Sequence, residues 1–490
     1  MTKMLQNAKF LVILLVFGGL IYTGCADTTS SPEPEPEQPV MSGSLDMSRV
    51  ATLGNSLTAG YVSGGWTTES LATSPMNLIV NSAYGGNNVG PQASNRFIFA
   101  AIPGDGNPRP AIQLGPPIQA GVYADGTPVL FPNVQAPGQV DPTMLNPMNA
   151  TVNRSFNNLA HPGALALDLL TKESLTNSIG VLNPLYQLSL RNLGTQVEQA
   201  KSLDPTVVFI WTGNNEWLGS ALAGGMNPPY PPVDEVTPPG MMSFQSIMTE
   251  MVSELAAPDR QIVLFETVDL SVVPSVSGVG VPVGDNRAFI TDLSGDGVWA
   301  DTLAFWKMNA DGGTPGVRVG ADEYVMFSWL LRFLEAQDNY GLTPLNPLED
   351  EHVITREQIA VLQGAADAYN NILRGIAASS PNIHTINTSE VFAELAANGV
   401  TVGGTTYTTD LFGGLFSFDN VHPSPLVNAA AANLFMDRIN AQLGANLQHV
   451  DLSMFAPPSP RMAPIEGPVN VDALRSTHEN AVNLFTGSRD

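Results

Sequence analysis

A serine stands at the point where an apolar strand pattern ends. Residues 49–53 (RVATL) predict a buried strand, which leads directly into Gly54-Asn55-Ser56-Leu57. Glycine permits a tight turn there, so Ser56 is expected to begin the next helix, where free backbone N–H groups suit a developing oxyanion. In open α/β sheets, sites form outside the carboxyl ends of strands. Ser56 is therefore a candidate nucleophile, although Asn-Ser at a helix start is also a common N-cap.

A carboxylate and an imidazole occur together near the other end of the chain. Asp419 and His422 are three residues apart in the segment 418–425 (FDNVHPSP), a spacing that lets both side chains lie on one face of a turn. An aspartate that holds a histidine in one tautomer is what a serine nucleophile requires of its general base. The alternative is a surface histidine in a proline-bounded turn. The histidines without a comparable carboxylate placement are His161, His352, His384, His449 and His478.

With two further blocks, this pattern resembles the SGNH hydrolases, also called GDSL esterases and lipases. The four matching blocks, in chain order, are Gly54-Asn55-Ser56-Leu57, residues 157–163 (NNLAHPG), Gly213-Asn214-Asn215-Glu216 and residues 419–422 (DNVH). The resemblance covers roughly residues 47–445, with long insertions between the blocks.

The resemblance implies a role for each matching residue. Ser56 would be the nucleophile, His422 the general base and Asp419 the residue that orients the histidine. The oxyanion would be held by the backbone N–H groups of Ser56 and Gly163 and by the side chain of Asn215. The resemblance also implies a flavodoxin-like three-layer α/β sandwich, and a reaction that needs neither a metal nor an organic cofactor.

Two positions depart from the family pattern. Asn55 replaces the aspartate of the first block, whose side chain is not part of the triad, so activity is not put in doubt. Glu216 replaces the aspartate that follows the oxyanion asparagine. The replacement keeps a carboxylate but on a longer side chain. The sequence therefore leaves open whether this carboxylate supports Asn215.

The elements that must position these residues alternate between strands and helices. Short apolar runs at 206–212, 261–265 and 383–386 predict further buried parallel strands. Helical periodicity is found at 356–378, where Thr355 and Gln358 form a predicted capping box, and at 425–443. Strands that alternate with helices indicate an α/β fold with a mainly parallel sheet.

Long segments interrupt this pattern. Insertions at about 85–150, 219–243 and 270–345 are rich in Gly and Pro, and they are interpreted either as a roof over the site or as surface loops. The apolar stretch 324–334 predicts a buried core helix, with a lipid-facing lid as the alternative. Residues 292–297 (DLSGDG) faintly resemble the start of a calcium loop, but a plain turn is the preferred interpretation.

The proline-containing extension 446–490 is expected to dock loosely and to contribute no chemistry.

The N-terminus predicts export. Lys3 and Lys9 precede an apolar stretch from Phe10 to Ile21, which has the length of a signal-peptide core rather than of a membrane span. Small residues before Cys25 resemble a bacterial lipoprotein cleavage site, with an ordinary signal peptide as the alternative. Residues 1–24 are thus predicted to be removed. Lipidation of Cys25 would then anchor the chain in the bacterial cell envelope, with the outer membrane as the expected site. Residues 25–46, rich in Pro and Glu, predict an extended tether, and the folded body is expected to begin near Met47.

Composition excludes several classes of protein. The chain has 490 residues, with 20 Lys and Arg against 45 Asp and Glu, a net charge of -25. An acidic protein lacks the basic face that binds nucleic acid. A single cysteine rules out a disulfide framework and a cysteine-rich zinc site.

Together these features predict a serine-dependent carboxylic ester hydrolase that acts through an acyl-enzyme. The expected partners are a neutral or weakly charged ester, either a small molecule or a lipid, and a membrane reached through the lipid anchor. Alternatives on the same scaffold are a carbohydrate acetylesterase and an acyltransferase. A catalytically inactive surface binding lipoprotein and a structural envelope protein are alternatives of a different class.

Overall fold

A computed structural model describes residues 39–86, 88–122, 128–171, 176–277, 305–320, 322–336, 338–456 and 465–486. The predicted signal peptide, Cys25, most of the tether and residues 292–297 lie outside these described residues. Val40–Asp490 is one compact unit. It therefore includes residues 40–46, which the sequence analysis assigned to the tether. There Met41–Ser42 pairs with Leu45–Asp46, and the Ser44 N–H donates to the Gly444 carbonyl (2.9 Å).

Four parallel strands form the central sheet. They are β1 (Val50–Gly54), β2 (Val207–Trp211), β3 (Gln261–Phe265) and β4 (Ile383–Ile386), in the spatial order β4-β3-β2-β1. Every residue of β1 and β2 is buried. Continuous Val, Ile, Leu and Phe runs are typical of parallel strands covered on both faces. The predicted mixed α/β fold with a parallel central sheet is confirmed.

A short segment adds to the sheet beside β1. Thr52 forms a parallel bridge with Asn158, its N–H donates to the Asn157 carbonyl (2.8 Å), and the Leu159 N–H donates back to the Thr52 carbonyl (2.9 Å). The Asn157 side-chain amide also donates to the Val50 carbonyl (2.7 Å). These bonds place the segment that leads to Gly163 next to the strand that leads to Ser56.

The two long helices predicted from sequence have clear end signals. Helix Arg356–Ala377 begins with the predicted capping box, in which Thr355 Oγ1 accepts the Gln358 N–H and Gln358 Oε1 accepts the Thr355 N–H. Helix Pro425–Leu443 starts after Ser424, whose Oγ accepts the Val427 N–H. Both ends follow the rule that a hydroxyl N-cap satisfies one of the first free N–H groups.

The other helices are Ser56–Ala59, Thr68–Ala72, Pro75–Tyr84, Ala166–Thr171, Tyr186–Leu190, Gln196–Ser202, Asn215–Leu222, Phe244–Leu255, Pro274–Ser277, Phe327–Ala336, Thr388–Asn398 and Val471–Thr486. Short strand pairs lie outside the central sheet: Val89–Gly90 with Phe97–Ile98, Ile112–Gln113 with Val134–Gln135, Trp306–Lys307 with Val317–Arg318, Tyr324–Val325 with Val353–Ile354, and Val400–Val402 with Thr405–Tyr407. A three-stranded sheet combines Ile118–Val122, Pro128–Phe131 and Ile465–Glu466. In the part of the chain that the structure describes, no helix combines the length and apolar character needed to cross a membrane.

The insertions build a second hydrophobic cluster rather than only loops. In this cluster, the helix Phe327–Ala336 packs with Phe131 and Phe305. Trp329 of that helix is 1% exposed. The stretch 324–334 thus forms a short strand and a buried helix, as the buried-core interpretation predicted, and not a lipid-facing lid. Leu474 from the C-terminal extension joins the same cluster.

The prediction that the C-terminal extension docks loosely was wrong. Helix Val471–Thr486, the C-terminal helix, buries one face through Ala473, Leu474, His478, Ala481 and Phe485. This spacing repeats with helical period, so the apolar stripe is present in the sequence.

Candidate active site

Ser56 lies where the sequence analysis placed it, at the first residue of a short helix after β1. Gly54 ends the strand at φ +152, and a Cβ there would lie 2.4 Å from the Trp211 carbonyl oxygen, so the neighbouring strand requires glycine. Asn55 is the N-cap, and its Oδ1 accepts the Leu57 N–H (3.1 Å). The serine side chain is thus presented at the carboxyl edge of the sheet, where it is 2% exposed.

Asp419 and His422 form a buried pair. His422 Nδ1 is 3.1 Å from Asp419 Oδ2, and the two residues are 1% and 0% exposed. Asp419 Oδ1 also accepts the N–H groups of Val421 and His422 (2.9 and 2.8 Å), and Oδ2 accepts that of Gly64 (3.1 Å). The carboxylate therefore holds the imidazole in the tautomer that carries a proton on Nδ1.

The environment of Asp419 favours its charged form. Burial raises the pKa of this carboxyl, but the attraction of His422, the hydrogen bond from its ring and the backbone N–H groups outweigh burial, so the net pKa lies below its ordinary value. An ionised carboxylate next to the ring is what stabilises the imidazolium form of a general base.

Two aromatic side chains to which the sequence analysis assigned no role contact this pair. The Tyr61 ring centroid lies 4.9 Å from that of His422, and burial, with a contribution from the charge of Asp419, raises the pKa of the Tyr61 hydroxyl well above its usual range. His478, on the C-terminal helix, donates from Nδ1 to the Asp419 carbonyl (3.1 Å). Burial lowers the pKa of His478, against its contacts with Asp419, which raise it. Neither residue has a sequence signal, because both are brought to Asp419 by long-range packing.

Ser56 and His422 line one cavity of ≈ 30 Å³, together with Asn215. Most of its other walls are apolar: Leu57, Trp217, Leu218, Val268, Val272, Val273, Phe392, Phe416, Val421 and Pro423. His422 Nε2 is buried and has no hydrogen-bond partner among the described residues, so the Ser56–His422 hydrogen bond is not formed in this structure. Nucleophile–base bonds often become short only in the complex with substrate. The structure thus brings the two side chains to one cavity without joining them.

The predicted oxyanion residues are neighbours. Asn215 begins the helix after β2, and its side-chain amide donates to the Ala164 carbonyl (2.7 Å). An amide nitrogen carries two protons, so a second N–H is left for a ligand in the cavity that Asn215 lines. Gly163 has φ +75 and its N–H has no acceptor among the described residues, but it does not itself line the cavity.

Glu216 holds the same loop as Asn215. Its Oε1 accepts the Ala166 N–H (2.5 Å), while Asn215 donates to Ala164, so two adjacent side chains fix the segment that follows Gly163. Burial raises the pKa of the Glu216 carboxyl to about 7, with Asp168 adding to the rise and the backbone N–H of Ala166 opposing it. The longer carboxylate therefore supports the Gly163 loop directly.

We expect Glu216→Gln to remove a pH dependence of stability. A carboxyl whose pKa is near 4.5 in the unfolded chain and about 7 in the folded chain binds more protons when folded. The free energy of unfolding therefore falls as the pH rises through this window, by on the order of 3 kcal/mol in full. Glutamine keeps the acceptor for Ala166 and stays neutral. The measurement is the free energy of unfolding in urea between pH 4.5 and 7.5. The value for the variant minus the value for wild type should grow as the pH rises. The same pH dependence in both proteins would contradict this prediction.

Two donors in the cavity wall were not predicted. Asn214 Nδ2 and Trp217 Nε1 are buried without hydrogen-bond partners among the described residues, and both residues line the cavity. Asn214 is held by the Val268 N–H, which donates to its Oδ1 (3.0 Å). Unpartnered buried donors are rare in proteins, and both of these belong to residues that line the candidate site. Only the fold reveals this, because the two residues resemble ordinary core positions in the sequence.

Metal ligation has no comparable support. In the described ranges, no cluster of three or more His, Cys, Asp or Glu side chains is arranged to hold a metal ion.

Comparison with known proteins adds no family assignment. Neither a scan against protein-family models nor a search of curated proteins gives a match for this sequence. The functional argument therefore depends on the residues and on their geometry.

Proposed function

We propose that this protein is a serine-dependent carboxylic ester hydrolase of the SGNH type, on a three-layer α/β sandwich. The observation that carries the proposal is the buried Asp419–His422 pair (3.1 Å), whose unpartnered Nε2 belongs to a side chain that lines the same cavity as Ser56. A buried dyad, a serine at a strand end and amide donors beside it are the components that acyl transfer requires.

In the proposed reaction, Ser56 Oγ attacks the ester carbonyl carbon while His422 Nε2 takes its proton. The negative charge on the carbonyl oxygen is stabilised by the Asn215 amide, with the Ser56 and Gly163 N–H groups as further donors. The ester C–O bond then breaks, and His422 returns the proton to the leaving alcohol. Water, deprotonated by the same histidine, attacks the acyl-enzyme and releases the carboxylic acid and Ser56.

The cavity favours small acyl groups. A volume of ≈ 30 Å³ with mostly apolar walls suits an acetyl or another short acyl chain better than a long lipid chain. Within the proposed class, this favours an acetylesterase of a neutral substrate over a lipase. Transfer to an alcohol acceptor would use the same acyl-enzyme. Attachment to the bacterial envelope through a lipid on Cys25 is part of the proposal and is supported by the N-terminal sequence alone.

A fluorophosphonate probe tests the proposal, because it reacts with activated serines. Wild type should be labelled at Ser56, and Ser56→Ala should not be labelled. Ser74→Ala is a matched control, because Ser74 is a buried serine at the start of another helix, outside the cavity. It should be labelled like wild type. A wild-type protein that the probe does not label would favour the inactive binding lipoprotein instead.

A further inference from the structure

The C-terminal helix donates a side-chain hydrogen bond to the main chain of Asp419. His478 Nδ1 lies 3.1 Å from the Asp419 carbonyl oxygen, and both residues are buried. A carbonyl oxygen can only accept, so Nδ1 carries the proton of this bond. The His478 ring also makes an edge-to-face contact with Phe327, with ring centroids 5.1 Å apart. The orientation of the histidine is therefore fixed by both a polar and an aromatic contact.

A tight turn connects the same helix to the carboxylate of Asp419. Residues 62–65 form this turn: its two end residues exchange backbone hydrogen bonds (2.9 and 3.0 Å), and both central residues have positive φ (+52 and +72). The Gly64 N–H donates to Asp419 Oδ2 (3.1 Å), which is the oxygen that contacts His422 Nδ1. The turn thus binds the carboxylate oxygen that faces the imidazole.

Asn480 of the C-terminal helix holds this turn in place. Its side-chain amide donates to the carbonyl groups of Gly64 (3.1 Å) and Gly138 (2.8 Å), so both of its protons are used. A Cβ on Gly64 would lie 2.8 Å from the Thr477 carbonyl oxygen, so the turn packs directly against the helix. Gly64 is therefore fixed between the helix on one side and Asp419 on the other.

We propose that His478 and Asn480 are positioning residues for Asp419, which make the C-terminal helix a necessary part of the candidate active site. His478 fixes the main chain of Asp419, and Asn480 fixes its carboxylate through Gly64. Neither residue lines the candidate cavity, so both act through Asp419. The proposal rests on the hydrolase function proposed above. A carboxylate displaced by about 1 Å from the His422 ring costs on the order of 100-fold in turnover.

Two substitutions at His478 separate its hydrogen bond from its packing. His478→Phe keeps an aromatic ring but removes the donor, whereas His478→Asn removes the ring but keeps an N–H at the same distance along the side chain as Nδ1. We expect His478→Phe to lower kcat for nitrophenyl acetate by about 10–100-fold with KM within about twofold, and His478→Asn to keep kcat within about threefold of wild type. His478→Leu, which also lacks the donor, replaces the phenylalanine variant if that variant folds poorly. Wild-type kcat without the donor, or an asparagine variant at least as slow, would overturn the role of His478.

Asn480→Leu tests the second contact, because leucine has a similar shape and no N–H. It should also lower kcat by about 10–100-fold, and a wild-type kcat would overturn the role of Asn480. The matched controls are His352→Leu and Asn483→Ala. His352 is a buried histidine whose Nδ1 contacts Ser328 Oγ (2.8 Å), and Asn483 lies on the same helix as Asn480. Both controls should leave kcat within about twofold of wild type, and equal losses in them would overturn the proposal.

The Nδ1 proton of His422 provides a measurement that does not depend on activity. A ring proton that is hydrogen-bonded to a buried carboxylate gives a proton NMR signal downfield of the amide region, and its loss in His422→Ala assigns it. We expect this signal to shift or disappear in His478→Phe and to stay unchanged in His352→Leu. An unchanged signal in His478→Phe would overturn the positioning role.

The two proposals therefore fail in different ways. If the fluorophosphonate probe labels Ser56 but the His478 and Asn480 variants keep wild-type kcat and the wild-type NMR signal, the positioning role is overturned and the hydrolase function stands. If wild type is neither labelled nor active on any ester, but the signal shifts in His478→Phe, the hydrolase function fails and the positioning of Asp419 by the C-terminal helix stands.

Discussion

His422→Ala is expected to lower kcat for ester hydrolysis by about 10⁴–10⁶-fold. The physical reason is that no other base is available to the serine: within the described residues, His422 is the imidazole that lines the cavity with Ser56. Without it, the Ser56 hydroxyl keeps its proton at neutral pH and is a weak nucleophile. The measurement is the hydrolysis of nitrophenyl acetate under saturating substrate, with the extent of folding checked by circular dichroism.

His449→Ala is the matched control for this prediction. His449 also pairs with an aspartate, since its Nε2 lies 2.8 Å from Asp437 Oδ1, but both side chains are half exposed and lie outside the cavity. This variant should retain wild-type kcat. A His422→Ala variant with more than about one hundredth of wild-type turnover would contradict the assignment of His422 as the general base.

The second large effect is expected for Asp419→Asn, which should lower kcat by about 10³–10⁴-fold with a smaller change in KM. Asparagine keeps the shape and one acceptor oxygen, so the N–H groups of Val421 and His422 can still be bound. It loses the negative charge that stabilises the imidazolium form, and its amide can turn an N–H toward His422 Nδ1. That contact selects the wrong tautomer of the ring.

Asp437→Asn makes the same chemical change in the exposed pair with His449. It should leave kcat and KM unaltered, because this pair has no contact with the cavity. Steady-state kinetics of both variants on one ester decide the comparison. Equal activities for Asp419→Asn and wild type would show that the buried carboxylate has no part in the reaction.

Three strands of the central sheet were predictable because each is a mainly apolar run, whereas the edge strand Ile383–Ile386 contains His384 and Thr385 and is only partly buried. Gln261–Phe265 and Ile383–Ile386 have the predicted bounds, and Val207–Trp211 ends one residue inside the prediction on each side. Parallel strands covered on both faces are mainly apolar along their length, so a short apolar run indicates them. Helix Arg356–Ala377 was predictable for a similar local reason, since its capping box lies within four residues of sequence.

The C-terminal helix was missed because its partners are distant in the chain. Its buried face packs on the helix Phe327–Ala336, on the helix Asn215–Leu222 and against His422. The periodicity of this face is visible at 473–485, but nothing in the local pattern indicates what covers it. Asn214 and Trp217 were missed for a related reason: an unpartnered donor can be recognised only when its surroundings are known.

The sequence by itself determined the local parts of this protein: the apolar strands, the capped helices, the turn that presents Ser56 and the three-residue spacing that pairs Asp419 with His422. Each of these depends on neighbours within one turn or one strand, so residue type and spacing are sufficient. The tertiary structure decided which distant elements meet: the cavity shared by Ser56 and His422, the joint support of the Gly163 loop by Asn215 and Glu216, and the placement of Phe485 over the histidine. Those arrangements arise from the packing of segments that lie 50 residues or more apart in the chain, and such packing has no period in the sequence.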